Sequence, residues 1–124
     1  MNCPKCSQTT EVVQYEDIEV DRCTNCKGIW FDMLEAEHLK ALEGSENIDV
    51  GDPKTGKEYN KIDRVNCPKC NEPMLRMVDA EQPHIWYEAC PVCYGVFFDA
   101  GEFSDFKEET TIDFFRDLFT GERK

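Results

Sequence analysis

Apolar and polar positions alternate in short runs along the first part of the chain. Between Thr9 and Arg22, Val12, Val13, Tyr15, Ile18 and Val20 are interleaved with acids, and Ile18 and Val20 share one strand face. The pattern predicts two short strands turning near Glu16 and Asp17, followed by a third at Ile29, Trp30 and Phe31. The period then changes: Leu34, Leu39, Ala41 and Leu42 follow at helical spacing, and Gly44 is expected to end the helix. Asp32 and Glu35 have the spacing of a capping box, with Asp32 accepting from the amide of Glu35 and Glu35 reaching back. Gly44, Ser45, Gly51, Asp52, Pro53 and Gly56 break any regular pattern, which predicts a flexible polar linker, with a strand starting within Tyr59 to Val65. Strands are expected again at Met74 to Val78 and His84 to Ala89, joined by a turn at Asp79 to Pro83. Near the end, Ile112, Phe115, Leu118 and Phe119 fall on one face of a helix that Thr110 or Thr111 caps and Gly121 closes.

The elements repeat. CTNCKGIWFDMLE, Cys23 to Glu35, returns 67 positions later as CPVCYGVFFDAGE, Cys90 to Glu102, and each copy is preceded by NCPKC, at Asn2 to Cys6 and Asn66 to Cys70. The chain is two copies of one small unit. Such a unit, about 40 residues long, cannot bury enough apolar surface to offset its chain entropy, so it needs a metal, disulfides or a partner. All eight cysteines fall into four Cys-x-x-Cys pairs. The start has no apolar core of a signal peptide, and no stretch approaches the roughly 20 apolar residues of a membrane span. The expectation is a cytoplasmic chain with reduced thiols, whose paired cysteines are metal ligands before they are disulfides.

Sixteen residues separate the pairs of the first unit and nineteen those of the second, within the range of a four-cysteine zinc ribbon. The three extra residues fall at a hairpin tip, where they leave the sulfur geometry alone. The reading is two Zn2+ ions, one held by Cys3, Cys6, Cys23 and Cys26 and the other by Cys67, Cys70, Cys90 and Cys93. A redox pair would need a thioredoxin-like βαβ context, which is missing. His38 and His84 have Asp105 and Asp17 as their repeat counterparts, so neither is expected to be a ligand. Gly28 and Gly95 follow the second pair of each site, where the chain is expected to need a positive φ or room for amides to face sulfur.

The fold class expected is a small metal-stabilised α+β protein of two tandem zinc ribbons, each a short antiparallel hairpin followed by a helix, with a C-terminal amphipathic helix. The division is 1–43 for the first ribbon and helix, 44–65 for the linker, 66–109 for the second ribbon and helix, and 110–124 for the last helix.

Charge narrows the function. The chain has 26 acids against 14 bases, a formal net charge of −12; two ions each held by four thiolates take it to roughly −16. A phosphate backbone repels such a protein. A basic strip is confined to the linker, at Lys54, Lys57, Lys61 and Arg64.

CPKC, a hairpin, then CxxCxGxWFDxxE at Cys23 to Glu35, with Phe97 in place of Trp in the second copy, resembles the transcription factor IIB type zinc-finger family of small, mostly bacterial proteins. The resemblance implies the zinc ribbon and the eight cysteine ligands. Its bearing on activity is slight, because the family's name reflects likeness to the ribbon of a general transcription factor, where the ribbon chiefly contacts polymerase.

Three functions follow as expectations. The first is a non-enzymatic protein-interaction module, possessing closed structural zinc sites, whose contact residues are Trp30, Trp86, Tyr87, Ile112, Phe115, Leu118 and Phe119. The second is binding of single-stranded RNA or DNA through the linker bases and the aromatics Trp30, Trp86 and Tyr87. The third is redox-sensitive zinc handling, with Lys5 and Lys69 beside the sulfurs raising thiolate reactivity. No catalytic residue is assigned, because no nucleophile, base and open metal position come together.

Overall fold

The computed structural model of the chain describes residues 1–62, 64–78 and 85–106. The amphipathic segment with Ile112, Phe115, Leu118 and Phe119 lies outside them, as does His84.

Each unit forms a three-stranded antiparallel ribbon. In the first, β1 (Thr10–Tyr15) pairs β2 (Ile18–Cys23), with Tyr15 opposite Ile18 across the turn. Strand β3 (Ile29–Phe31) then pairs β2 through Asp21 opposite Trp30. The second repeats this with β4 (Leu75–Val78), β5 (Trp86–Ala89) and β6 (Val96–Phe98). β4 and β5 are shorter than the runs expected from the pattern. The decisive pairing is between units. β3 and β6 run antiparallel, with Ile29 opposite Phe98, Trp30 opposite Phe97 and Phe31 opposite Val96. The two ribbons therefore form one six-stranded sheet in the order β1-β2-β3-β6-β5-β4.

Because paired residues point to the same side of a sheet, the two faces can be read from the register. One carries Ile29, Phe31 and Phe98, covered by Ala36 and Leu39 of the first unit, Ile48 of the connecting segment, and Phe103 and Phe106 of the second unit. The rings interlock there: Phe31 and Phe98 meet edge to face at 5.6 Å, and Tyr87 stacks on Phe98 at 5.1 Å. The other face holds Trp30 and Phe97 at the centre of a second core built with the cysteines of both units, Val65 and Met74.

Helix α1 (Glu35–Lys40) is shorter than the expected helix, and the capping box forms by half. Glu35 Oε1 accepts from the amide of Asp32 at 2.9 Å, but the Asp32 carboxylate accepts from Trp30 Nε1 and Lys69 Nζ instead of from the Glu35 amide. Residues 102–106 are helical at the equivalent place in the second unit.

Residues 44–65 differ most from expectation. They hold a 3-10 turn (Ser45–Ile48) and helix α2 (Pro53–Asn60), and no strand begins at Tyr59. The physical reasons are local capping and packing. Asp52 caps α2 by accepting from the Lys54 amide at 2.9 Å, and Pro53 supplies a first-turn residue with its φ preset. Gly56 lets α2 lie against the Ala100 backbone, where a Cβ would collide with the carbonyl oxygen. Asp49 accepts from the amides of Gly101 and Ser104, both at 2.9 Å, and Arg22 donates to Ile48 O at 2.9 Å. The segment thus straps the first unit to the second.

Candidate metal centres

In each unit the first Cys-x-x-Cys pair sits on a tight turn ahead of the hairpin. Cys3 N donates to Gln8 O and Ser7 N to Cys3 O; Cys67 N to Glu72 O and Asn71 N to Cys67 O repeat the turn. Ser7 and Asn71 take positive φ at its end, 67° and 58°. The second pair sits between β2 and β3, or β5 and β6, on a turn ending at Lys27 or Tyr94, again at positive φ, 65° and 64°. The antiparallel ribbon brings each first pair beside its second.

The four Sγ atoms of Cys3, Cys6, Cys23 and Cys26 lie within 4.8 Å of one another, as do those of Cys67, Cys70, Cys90 and Cys93. Sulfurs about 2.3 Å from a tetrahedral ion stand about 3.8 Å apart along each edge. The separations found are 3.7 Å for Cys3 and Cys26, 3.4 Å for Cys6 and Cys23, and 3.8 Å for Cys67 and Cys93. Backbone amides point at the sulfurs: Lys5 N to Cys3, Asn25 N and Cys26 N to Cys23, and in the second site Lys69 N and Cys70 N to Cys67, at 3.3–3.4 Å. Such amides stabilise thiolates. Burial raises the Cys6 thiol, but hydrogen bonds from the Gln8 amide, Asn25 and Cys23 outweigh it and bring it to about 7. Cys3 is pushed far up by its hydrogen bond to Cys26 and by burial. Four thiols this close cannot all lose their protons alone, and a divalent cation removes that conflict. Each quartet fits one zinc ion, bound by four thiolates in a closed tetrahedron whose contribution is to the fold.

Neither lysine of the CPKC turns faces sulfur with its ammonium. Lys5 Nζ donates to Asp99 Oδ2 and Tyr59 O, both at 2.9 Å, and lies 3.2 Å from Glu88 Oε2, with all three charged side chains fully buried. Lys69 Nζ reaches Asp32 Oδ1 at 2.6 Å. Asp32 and Asp99 are repeat counterparts, so each lysine crosses to the other unit's acid. The glycines do likewise. Gly28 does not have positive φ; it faces the Phe97 ring, and Gly95 faces the Trp30 ring, with no room for a Cβ at either place. These cross-unit roles were not legible from spacing, though the recurrence of Lys, Gly, aromatic and Asp in both copies marked the positions.

Of the residues expected at a partner surface, Trp30 is 0% exposed, because it fills the core between the metal turns. Tyr87 is half-buried on Phe98. Trp86 is partly open at 36%, with the Arg76 guanidinium 4.9 Å above its ring. His38 is exposed and away from both quartets. Among the described residues no helix is long and apolar enough to cross a membrane.

A family model described as transcription factor zinc-finger matches residues 2–42 and again 66–109, together more than half of the chain. No curated protein and no solved structure matches it.

Proposed function

The chain belongs to the transcription factor zinc-finger family, and from that premise we propose that it is a non-enzymatic protein-interaction module. The observation that carries the reading is the closed coordination set. Four thiolates fill each tetrahedral ion, leaving no position for water or substrate, so zinc organises a surface and performs no reaction. The net charge of −12 favours a protein over a nucleic acid as the ligand of that surface.

The test is affinity capture by the zinc-loaded chain from lysate, with and without nuclease, followed by direct binding with each purified candidate. A protein that stays bound after nuclease and binds alone supports the reading. Recovery that vanishes with nuclease overturns it.

A second reading has one observation in its favour. Helix α2 presents Lys54 and Lys57 to solvent, with its C-cap Lys61 and then Arg64 exposed beyond it. On this reading single-stranded RNA or DNA follows that strip, and its affinity falls steeply with salt and with replacement of these four residues.

A further inference from the structure

The internal repeat supplies its own comparison, because one face of the sheet is covered in the second unit and open in the first. A single row of side chains crosses that face through Val12, Asp21, Trp30, Phe97, Glu88 and Arg76, each directly opposite the next. Its halves are related by the repeat, with Asp21 the counterpart of Glu88 and Val12 that of Arg76.

Over the second half lies α2. This short helix carries Lys54, Lys57 and Glu58 between its caps Asp52 and Lys61, and it seats its backbone on Ala100 and Gly101. Its carbonyl oxygens at Tyr59 and Asn60 accept from Lys5 and Arg76. A helix therefore sits on the face that carries Glu88 and Asp99: Lys5 and Arg76, which pair with those acids, also donate to its carbonyls, while its own Lys54 and Lys57 stay in solvent.

Over the first half no described residue plays that part. The counterparts of the acids are Asp21, Asp32 and Glu35, with Lys69 as the cation among them. The counterparts of Ala100 and Gly101 are Met33, 55% exposed, and Leu34, 67% exposed. Leu34 also takes φ 69°, the left-handed conformation that Gly101 adopts at 86°. A large apolar residue stands in solvent, in a backbone conformation that penalises its Cβ.

We propose that this open face docks a basic, apolar-containing helix of a protein partner, with Met33 and Leu34 seated in the partner and Asp21, Asp32 and Glu35 facing its cations. The proposal deepens the interaction-module reading and rests on it. The acids of the open face select a cationic occupant by charge complementarity, and α2, seated by its backbone on the equivalent face, supplies the precedent for a docked helix within the same chain. The large Met33 and Leu34 make this a knob-into-partner contact, where the small Ala100 and Gly101 permit close backbone approach.

The zinc-loaded full chain is titrated with a helical peptide of Lys, Leu and Ala, and with a counterpart carrying Glu for every Lys, while its backbone amide resonances are followed. Saturable shifts are expected at Asp21, Asp32 to Glu35 and Lys69 with the basic peptide only. Leu34→Gly keeps the fold, since glycine suits that φ, and it is expected to weaken binding by about tenfold, as is Asp21→Asn. Unchanged affinity in both variants, or binding of neither peptide, overturns the proposal. Shifts confined to β4 and β5 overturn this surface and leave the interaction reading standing, which the nuclease-resistant capture decides separately.

Discussion

Gly28 and Gly95 owe their place to the aromatic ring that each faces across the unit boundary. Gly28→Ala or Gly95→Ala is expected to cost about 1–3 kcal/mol, read by denaturant unfolding of the zinc-loaded protein, because the Phe97 and Trp30 rings have packed neighbours behind them. An unchanged midpoint would mean that the rings can move aside. Leu34→Gly works in the opposite direction: relief of the left-handed φ outweighs the added chain entropy, and stability rises by roughly 0.5–1 kcal/mol. Glu102 brings pH into stability. Burial, together with the charges of Asp99 and Glu88, raises its carboxyl to about 8, and its buried Oε1 has no hydrogen-bond partner among the described residues. The folded chain therefore keeps a proton that the unfolded chain releases above the ordinary value of 4.5, and this group's contribution to stability declines from there to about 8. Glu102→Gln removes that decline. Its melting-temperature advantage over the parent protein, followed from mildly acidic to mildly alkaline pH, is expected to grow until about pH 8 and then level off. A constant difference would place the titration elsewhere.

At the scale of elements, α2 departs furthest from what the pattern led one to expect. Its sequence PKTGKEYN has no apolar stripe, and its buried position is Gly56, which a reading by hydrophobic period counts as a breaker. The helix is held by its backbone: a close approach to Ala100, and carbonyls that accept from Lys5 and Arg76. None of these leaves a periodic trace. Gly56→Ala, which gains intrinsic helix propensity, is nonetheless expected to destabilise the protein, since its Cβ would meet the Ala100 carbonyl. Asp52→Ala is expected to cost about 1 kcal/mol through the lost cap. A more stable Gly56→Ala would detach α2 from the face on which it lies. The strands and turns were more legible, because alternation and the Cys-x-x-Cys spacing are local. The capping box formed by half because Trp30 and Lys69, the latter distant in sequence, compete for the Asp32 carboxylate.

For the whole molecule, β3 on β6 and the buried Lys5 with Glu88 and Asp99 make the two ribbons one structure. Cys6→Ser should therefore do more than remove one zinc. Without the metal the CPKC turn loosens, Lys5 leaves the buried Asp99 carboxylate unpaired and Glu88 with Arg76 alone, and the second centre is expected to release its ion to a chelator faster than in the parent protein. Zinc counted by mass spectrometry and release timed against a chelator dye check this; an unaltered second centre would mean independent units. The sequence by itself determined the two four-cysteine centres, the repeat, the ribbons and the acidic charge, because metal spacing, strand alternation and composition act over short stretches of chain. Only the tertiary structure decided that Trp30 is core rather than surface, that the connecting segment is a strap, and that Lys5 and Lys69 bind the opposite unit's acids. Those outcomes depend on how two copies of a local motif pack against each other, and neither copy encodes that alone.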